Sequence, residues 1–274
     1  MRFAARTVKR PIPIEGIGVH SGRPSRLRIL PSAEGVIVFR RTDLGGAELP
    51  LCPEKAVTLS STVLQGADFR VGTVEHLLAA LWAAGVGSCL IELDGEEVPI
   101  LDGSALPFVR AVEEVGLDEL QRPWVPLRID GVKVVEEKDA WVRFEPPEDD
   151  DESNLTISYT ICYDHPSIGL QKRTFSLTWP EFAREIAPAR TFGFLKDVDA
   201  LRSQGLARGA SYENTVVLDD KGVVNPPLRF PDEFVRHKLL DLAGDLALLG
   251  RPLVGRVTAY KAGHRLHLLA LKSL

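Results

Sequence analysis

Apolar residues recur along this chain in two rhythms. Short stretches such as RLRIL (26–30) and GVIVFRR (35–41) carry the β-branched and apolar bias of strands, bounded by Pro and Gly. A longer run, VEHLLAALWAAG, has helical composition; Thr73 is positioned to N-cap it and Gly85 to close it. SCLIEL (88–93) reads as a buried strand. DGSALPFVRAVEEVGL (102–117) reads as a turn entering a second helix whose apolar side is Phe108, Val109, Val112 and Val115.

QRPWVP (121–126), flanked by prolines, is the expected linker. Beyond it PLRIDGVKVVEEKDAWVRFEP predicts two or three strands, and EPPEDDDES (145–153) a charged loop tip. NLTISYTICYD and RTFSLTWP alternate with period two, as strands do. A helix is expected over 180–187. TFGFL (191–195), DVDALRSQGL (197–206) and NTVVLDD (214–220) follow as strand, helix, strand. FVRHKLLDLAGDLALLG (234–250) is the clearest helix, and LVGRVTAYKAGH (253–264) a strand. The stretches VEHLLAALWAAGVGSCLIEL and VRHKLLDLAGDLALLGRPLVGRVTAY share one order: helix, Gly, strand, with a His two residues after a Val. That self-similarity predicts two related α+β halves.

Composition narrows the class. The 274 residues are 45% hydrophobic and 26% charged, which fits a folded protein and excludes a disordered chain or a coiled coil. A formal net charge of −5 offers no basic field for nucleic acid, so no nucleic-acid partner is expected. No apolar run reaches the roughly 18 residues of a membrane span. Residues 1–16 are basic without a signal peptide's apolar stretch, so no stable membrane insertion is expected. Cys52, Cys89 and Cys162 are odd in number and widely spaced, with no CxxC, which favours a reducing cytoplasm over a disulfide framework.

Within the clearest helix His237, Asp241 and Asp245 are spaced by four and share a face. His and Asp one turn apart can chelate a divalent metal, although an N-terminal-turn His with surface carboxylates would look the same. Glu75 and His76, adjacent on the earlier helix, point about 100° apart, so one could bind a metal while the other reaches a bound water. His76, His237 and Asp241 together would form a His2Asp site with an open position, where the two halves meet. Gly263 permits a turn presenting His264, which Asp245 could orient and keep protonated; a solvent-exposed loop His is the bland alternative. His267, His165 and His20 have weaker claims. Thr191, at the start of a strand, could donate to an oxyanion, though such a Thr is more often a plain strand residue.

Five motifs in order, TVEHLLAAL, EVPILDGSALPFV, ARTFGF, FVRHKLLDLAGDLALLG and TAYKAGH, closely resemble the UDP-3-O-acyl-N-acetylglucosamine deacetylases, the zinc amidases of lipid A biosynthesis. The resemblance runs from EGIGVHSG (15–22) to the last strand. It implies an α+β fold of two similar domains, 1–122 and 123–274, each a sheet with packed helices and an insert, with the active site between them. It implies zinc, or ferrous iron, on His76, His237 and Asp241, with Glu75 as general base. His264 backed by Asp245 would be the cationic acid, and Thr191 would face the oxyanion. Phe192 and Lys238 match residues that contact the sugar or its phosphates, and Tyr163 could stack on uracil. The second insert, a β-α-β unit over 191–220, would form a passage for the acyl chain, with Leu195, Val198, Leu201, Leu206, Ala207, Ala210, Ser211 and Val217 as lining candidates. The implied substrate is a UDP-linked acylated amino sugar, and the chain is expected to act as a cytoplasmic monomer.

Some positions depart from the family pattern. His267 stands where many relatives have Asn, Cys162 sits in a run where relatives often have an Asp-aromatic-Asn-His-Pro sequence, and Glu145 stands where some relatives place a phosphate-facing lysine, with Arg143 as the candidate substitute. These bear on the nucleotide contacts, not on the metal chemistry. Two other readings compete: a same-fold metalloamidase acting on another N-acylated sugar or glycolipid, and a metal- or glycolipid-binding protein without turnover. Glu75 counts against the second, which has no use for a base beside the metal.

Overall fold

The computed structural model describes residues 3–148 and 155–274. The first half comprises β1 (Ala4–Val8), β2 (Ile12–Ile17), β3 (Pro24–Pro31), β4 (Ile37–Arg41), β5 (Ala47–Pro50), β6 (Ala56–Thr58), β7 (Thr62–Gln65), β8 (Arg70–Gly72), α1 (Glu75–Ala83), β9 (Cys89–Leu93), α2 (Leu106–Val115) and β10 (Leu117–Pro123). The second runs through β11 (Leu127–Arg128), β12 (Lys133–Glu137), β13 (Ala140–Glu145), β14 (Leu155–Cys162), β15 (Leu170–Ser176), α3 (Trp179–Glu181), β16 (Phe192–Phe194), α4 (Val198–Ser203), β17 (Val216–Asp219), β18 (Gly222–Val223), α5 (Glu233–Leu246), β19 (Leu253–Tyr260) and α6 (His264–Leu271).

The internal repeat shows in the strand order. One sheet is β2-β3-β9-β4-β5 and the other β12-β13-β19-β14-β15. In each, the strand after the long helix enters the centre, antiparallel to the second strand and parallel to the third. Burial alternates along β3 and β14, so each sheet buries one face and leaves the other towards solvent. The buried faces meet the helices. In α1 every residue from Glu75 to Trp82 is buried, and in α5 every residue except Lys238 is. Helices buried on all sides lie between layers; these two pack against each other and join the halves. Gly244 permits the approach: a Cβ there would lie 2.1 Å from the carbonyl oxygen of Glu75.

Between β15 and α5 lies the β-α-β unit. β16 and β17 pair in parallel, with α4 as their crossover and β18 on the far edge. It rests on the first half: Gly209 N–H donates to Val19 O (3.0 Å) and Arg208 N–H to His20 O (3.2 Å). A Cβ on Gly209 would come within 2.2 Å of Gly18 O.

Several sequence expectations change. Thr73 does not cap α1, whose cap position is Val74. Thr73 sits at φ +56°, and its hydroxyl donates instead to Glu97 Oε1 at 2.9 Å. The expected linker is partly a strand, since β10 runs to Pro123 and pairs with β1, where Ala4 faces Pro123. The helix expected over 180–187 is a three-residue α-turn passing into a π-helical turn, Phe182–Ile186. The last strand stops at Tyr260, and the residues after Gly263 form α6, a helix that the turn-like KAGH concealed. Of the charged tip, 149–153 lie outside the described residues.

Candidate active site at the junction of the halves

Helix α1 presents Glu75 and His76 from the first half, and α5 presents His237, Asp241 and Asp245 from the second. One donor atom each from His76, His237 and Asp241 lies within 4.8 Å of the others, and all three residues are buried. His237 Nε2 is 3.3 Å and His76 Nε2 3.7 Å from Asp241 Oδ1. The His237 Nδ1–H donates to Ala189 O at 3.1 Å, which fixes the tautomer and leaves the Nε2 lone pair free. Burial drives the His237 pKa down to about 4, so the ring is neutral, as a metal ligand must be. Burial opposes the Asp241 charge, but Lys238, His237 and His264 overcome it and hold the carboxyl well below its usual range. The Lys238 ammonium donates to Oδ2 at 2.7 Å, leaving Oδ1 to face the imidazoles. Two imidazole nitrogens and a carboxylate oxygen at this spacing fit a divalent metal with room for a further ligand.

Glu75 and His264, with Asp245 behind the imidazole, stand beside this triad. Glu75 is 3% exposed, and burial raises its pKa against the pull of His264. Its Oε2 accepts from Thr62 N–H (3.1 Å), while Oε1 faces His264 Nε2 at 3.7 Å. His264 Nδ1–H donates to Asp245 Oδ2 at 2.7 Å. Burial alone would depress the His264 pKa, but Asp245 and Asp241 raise it to about 9, so this imidazole is a cation at neutral pH. Asp245 is likewise buried, yet His264 takes its carboxyl down to about 2. His264 is thus not a solvent-exposed loop His: it opens α6 with its ring turned into the junction.

A cavity of about 680 Å³ opens on these groups. Its walls come mostly from the β-α-β unit, including Thr191, Phe192, Leu195, Val198, Leu201, Ala207, Ala210, Ser211 and Val217, together with Tyr163 and Lys238. Leu206, a lining candidate, is not on the wall. Helix α4 ends at Ser203, Gly205 turns the chain at φ +81°, and Leu206 folds back with its N–H on Leu201 O. Tyr163 packs edge-on against Phe192, whose ring also lies edge-on 6.3 Å from His237.

Two further buried residues reach these groups without a signal of their own in the sequence. Thr62 is fully buried and bridges the two chemistries, its N–H holding Glu75 and its hydroxyl donating to Asp245 Oδ1. Nothing in SSTV marks it, because a strand Thr has no sequence signature for the groups that fold back onto it. Glu97 is also buried; its carboxylate accepts from His20 N–H and Ser21 N–H, both at 2.8 Å, and from Thr73, bracing the GVHSG turn beside the cavity. A glycine-rich turn was the available signal.

Comparison with known proteins agrees with this architecture. A family model described as UDP-3-O-acyl N-acetylglycosamine deacetylase matches residues 5–274. The UDP-3-O-acyl-N-acetylglucosamine deacetylase of Nautilia profundicola is 45% identical over 271 residues, covering 98% of this chain and 91% of the relative. That of Myxococcus xanthus is also 45% identical (97% and 84% covered), and that of Helicobacter pylori strain 26695 is 40% identical (98% and 90% covered). The two-sheet repeat, the bridging helices and the full-length match together make this chain a member of the UDP-3-O-acyl-N-acetylglucosamine deacetylase family.

Proposed function

We propose that the chain hydrolyses the acetamide of UDP-3-O-acyl-N-acetylglucosamine, releasing acetate and the free amino sugar, in the committed step of lipid A biosynthesis. One observation carries the reading: a buried carboxylate, a cationic imidazole and a His2Asp donor set from opposite halves converge on the floor of one apolar-walled cavity. A binding protein has no use for that base. A divalent ion on His76, His237 and Asp241, which we take to be zinc, would supply Lewis-acid polarisation of the amide carbonyl and of the attacking water.

The chain's own groups do the rest. Glu75, anchored through Oε2, takes the water's proton on Oε1, and its raised pKa makes it a stronger base than a surface carboxylate. The His264 cation faces the same point and stabilises negative charge developing on the carbonyl oxygen. It is also the group with a proton to give the departing sugar nitrogen. Thr191, on the cavity wall, offers a hydroxyl to the same oxyanion. Asp245 keeps the His264 ring oriented. Leu195, Val198, Leu201 and Val217 provide the apolar wall an acyl chain needs, while Phe192, Tyr163 and Lys238 stand towards the sugar and nucleotide.

No helix among the described residues is long and apolar enough to cross a membrane. We take the enzyme to act in the cytoplasm as a monomer. The test is acetate release from UDP-3-O-acyl-N-acetylglucosamine, before and after chelation and after zinc is restored. Turnover that vanishes on chelation and returns with zinc is expected. A purified, metal-replete protein that releases no acetate refutes the assignment.

A further inference from the structure

Asp245 is held by more than the histidine it orients. Its Oδ2 receives two imidazoles at 2.7 Å each, Nδ1 of His264 and Nδ1 of His267, while Thr62 occupies Oδ1. The two histidines lie three apart on α6, so they share one helical face and approach the same oxygen. Because the carboxylate only accepts, the His267 proton must sit on Nδ1. Its Nε2 lies 2.9 Å from the Tyr159 hydroxyl, whose single proton serves either that nitrogen or the carbonyl of Ala262, 2.6 Å away and two residues before His264. Tyr159 is fully buried and His267 is 1% exposed, so the departure at 267, expected to bear on nucleotide contacts, lies instead behind Asp245 and off the cavity wall. A buried imidazole with both nitrogens engaged is an expensive way to fill volume, and an aliphatic side chain would pack without any polar group to satisfy.

Resting on the deacetylase reading, we propose that His267 is a positioning residue for the reaction, acting through Asp245 on His264. Held by Tyr159, it pins Oδ2 while Thr62 pins Oδ1, and so fixes where His264 points Nε2. Without His267, Oδ2 keeps a single partner and Asp245 gains freedom to rotate. The His264 ring then loses its fixed aim at the point it shares with Glu75, while the proposed metal ligands, whose hydrogen bonds do not involve His267, stay in place.

The test uses the purified holoprotein and three variants. His267→Leu keeps the volume and removes the donor. His267→Asn restores one N–H close to the position of Nδ1. Tyr159→Phe removes a single buried oxygen. Two readouts are taken: steady-state acetate release, and side-chain 15N–1H spectra of the imidazoles, in which the parent should show carboxylate-bound Nδ1 protons from His264 and His267. His267→Leu should lower kcat by about tenfold or more, the scale seen when supporting partners of site residues are lost. KM should stay within about twofold and metal content should not change, while the His264 proton signal shifts or broadens. His267→Asn should recover most of kcat and the His264 signal. Should His267→Leu fail to fold, Tyr159→Phe decides, with a smaller fall in kcat and a shifted His264 signal expected.

The inference is overturned if the leucine variant, or Tyr159→Phe in its place, keeps parental kcat with an unmoved His264 proton. It is equally overturned if asparagine is no better than leucine, which would make His267 a packing residue. A parent protein that releases no acetate refutes the deacetylase reading instead, and the imidazole spectra then decide the positioning role alone.

Discussion

Gly244→Ala tests whether the helix crossing sets the site. Residue 244 lies in α5, where an alanine would ordinarily help: in a helix interior it is favoured over glycine by roughly 0.5–1 kcal/mol. Here its Cβ would meet Glu75 O at 2.1 Å and the Glu75 carbonyl carbon at 2.7 Å, both backbone atoms that no rotamer can move away. Ordinary contact begins near 3.4 Å, so α1 and α5 must part by about 1.3 Å. Overpacking of this kind costs about 1–3 kcal/mol, which outweighs the helix preference and lowers Tm by about 2–4 °C per kcal/mol. The displacement falls at Glu75 itself and one residue from His76, whose donor must stay within 4.8 Å of those of His237 and Asp241. Misplacement by an ångström is enough to lose about 10²-fold in rate. Thermal melts, metal content by atomic emission and kcat for acetate release are measured on one preparation. The expected result is a lower Tm, weakened metal retention and a kcat reduced by about two orders of magnitude. An alanine variant with the parent's Tm, metal and turnover would refute the claim that this contact fixes the donor geometry.

Other outcomes follow from the same site. Glu75→Gln should cut kcat by about 10²–10⁴-fold, the scale of a lost general base, with metal content unchanged by elemental analysis. His237→Ala should instead lose the metal, and added zinc should not restore it at concentrations that saturate the parent. The Asp245–His264 pair sets a stability window. Asp245 has its pKa depressed to about 2, so its contribution is complete above the ordinary carboxylate range and is lost as pH falls towards 2; His264 has its pKa raised to about 9, so its contribution is complete below 6.5 and is lost as pH rises through 9. Urea unfolding across pH should show the parent's advantage over Asp245→Asn greatest between about pH 4 and 6.5, and an advantage independent of pH would contradict the pairing. Leu201→Trp, which narrows the cavity wall, should shift kcat/KM towards substrates with shorter acyl chains.

Much of this molecule could be read from the chain. Period-two alternation marked β14 and β15, and the helix-Gly-strand repeat revealed two alike halves, because buried faces impose their periods on the residues that make them. The four-residue spacing of His237, Asp241 and Asp245 by itself puts them on one side of α5, since helical geometry is local. What no local rule supplied was the meeting of α1 with α5, which depends on one missing Cβ at Gly244 and brings together residues about 160 positions apart. The same holds for Thr62 reaching Asp245, for the Thr73 hydroxyl turned to Glu97 instead of capping a helix, and for His267 brought by an unforeseen α6 onto a carboxylate already in use. Which polar groups are buried together, and so which pKa values move, is a property of packing between distant segments; sequence lists the donors and acceptors, and only the folded chain pairs them.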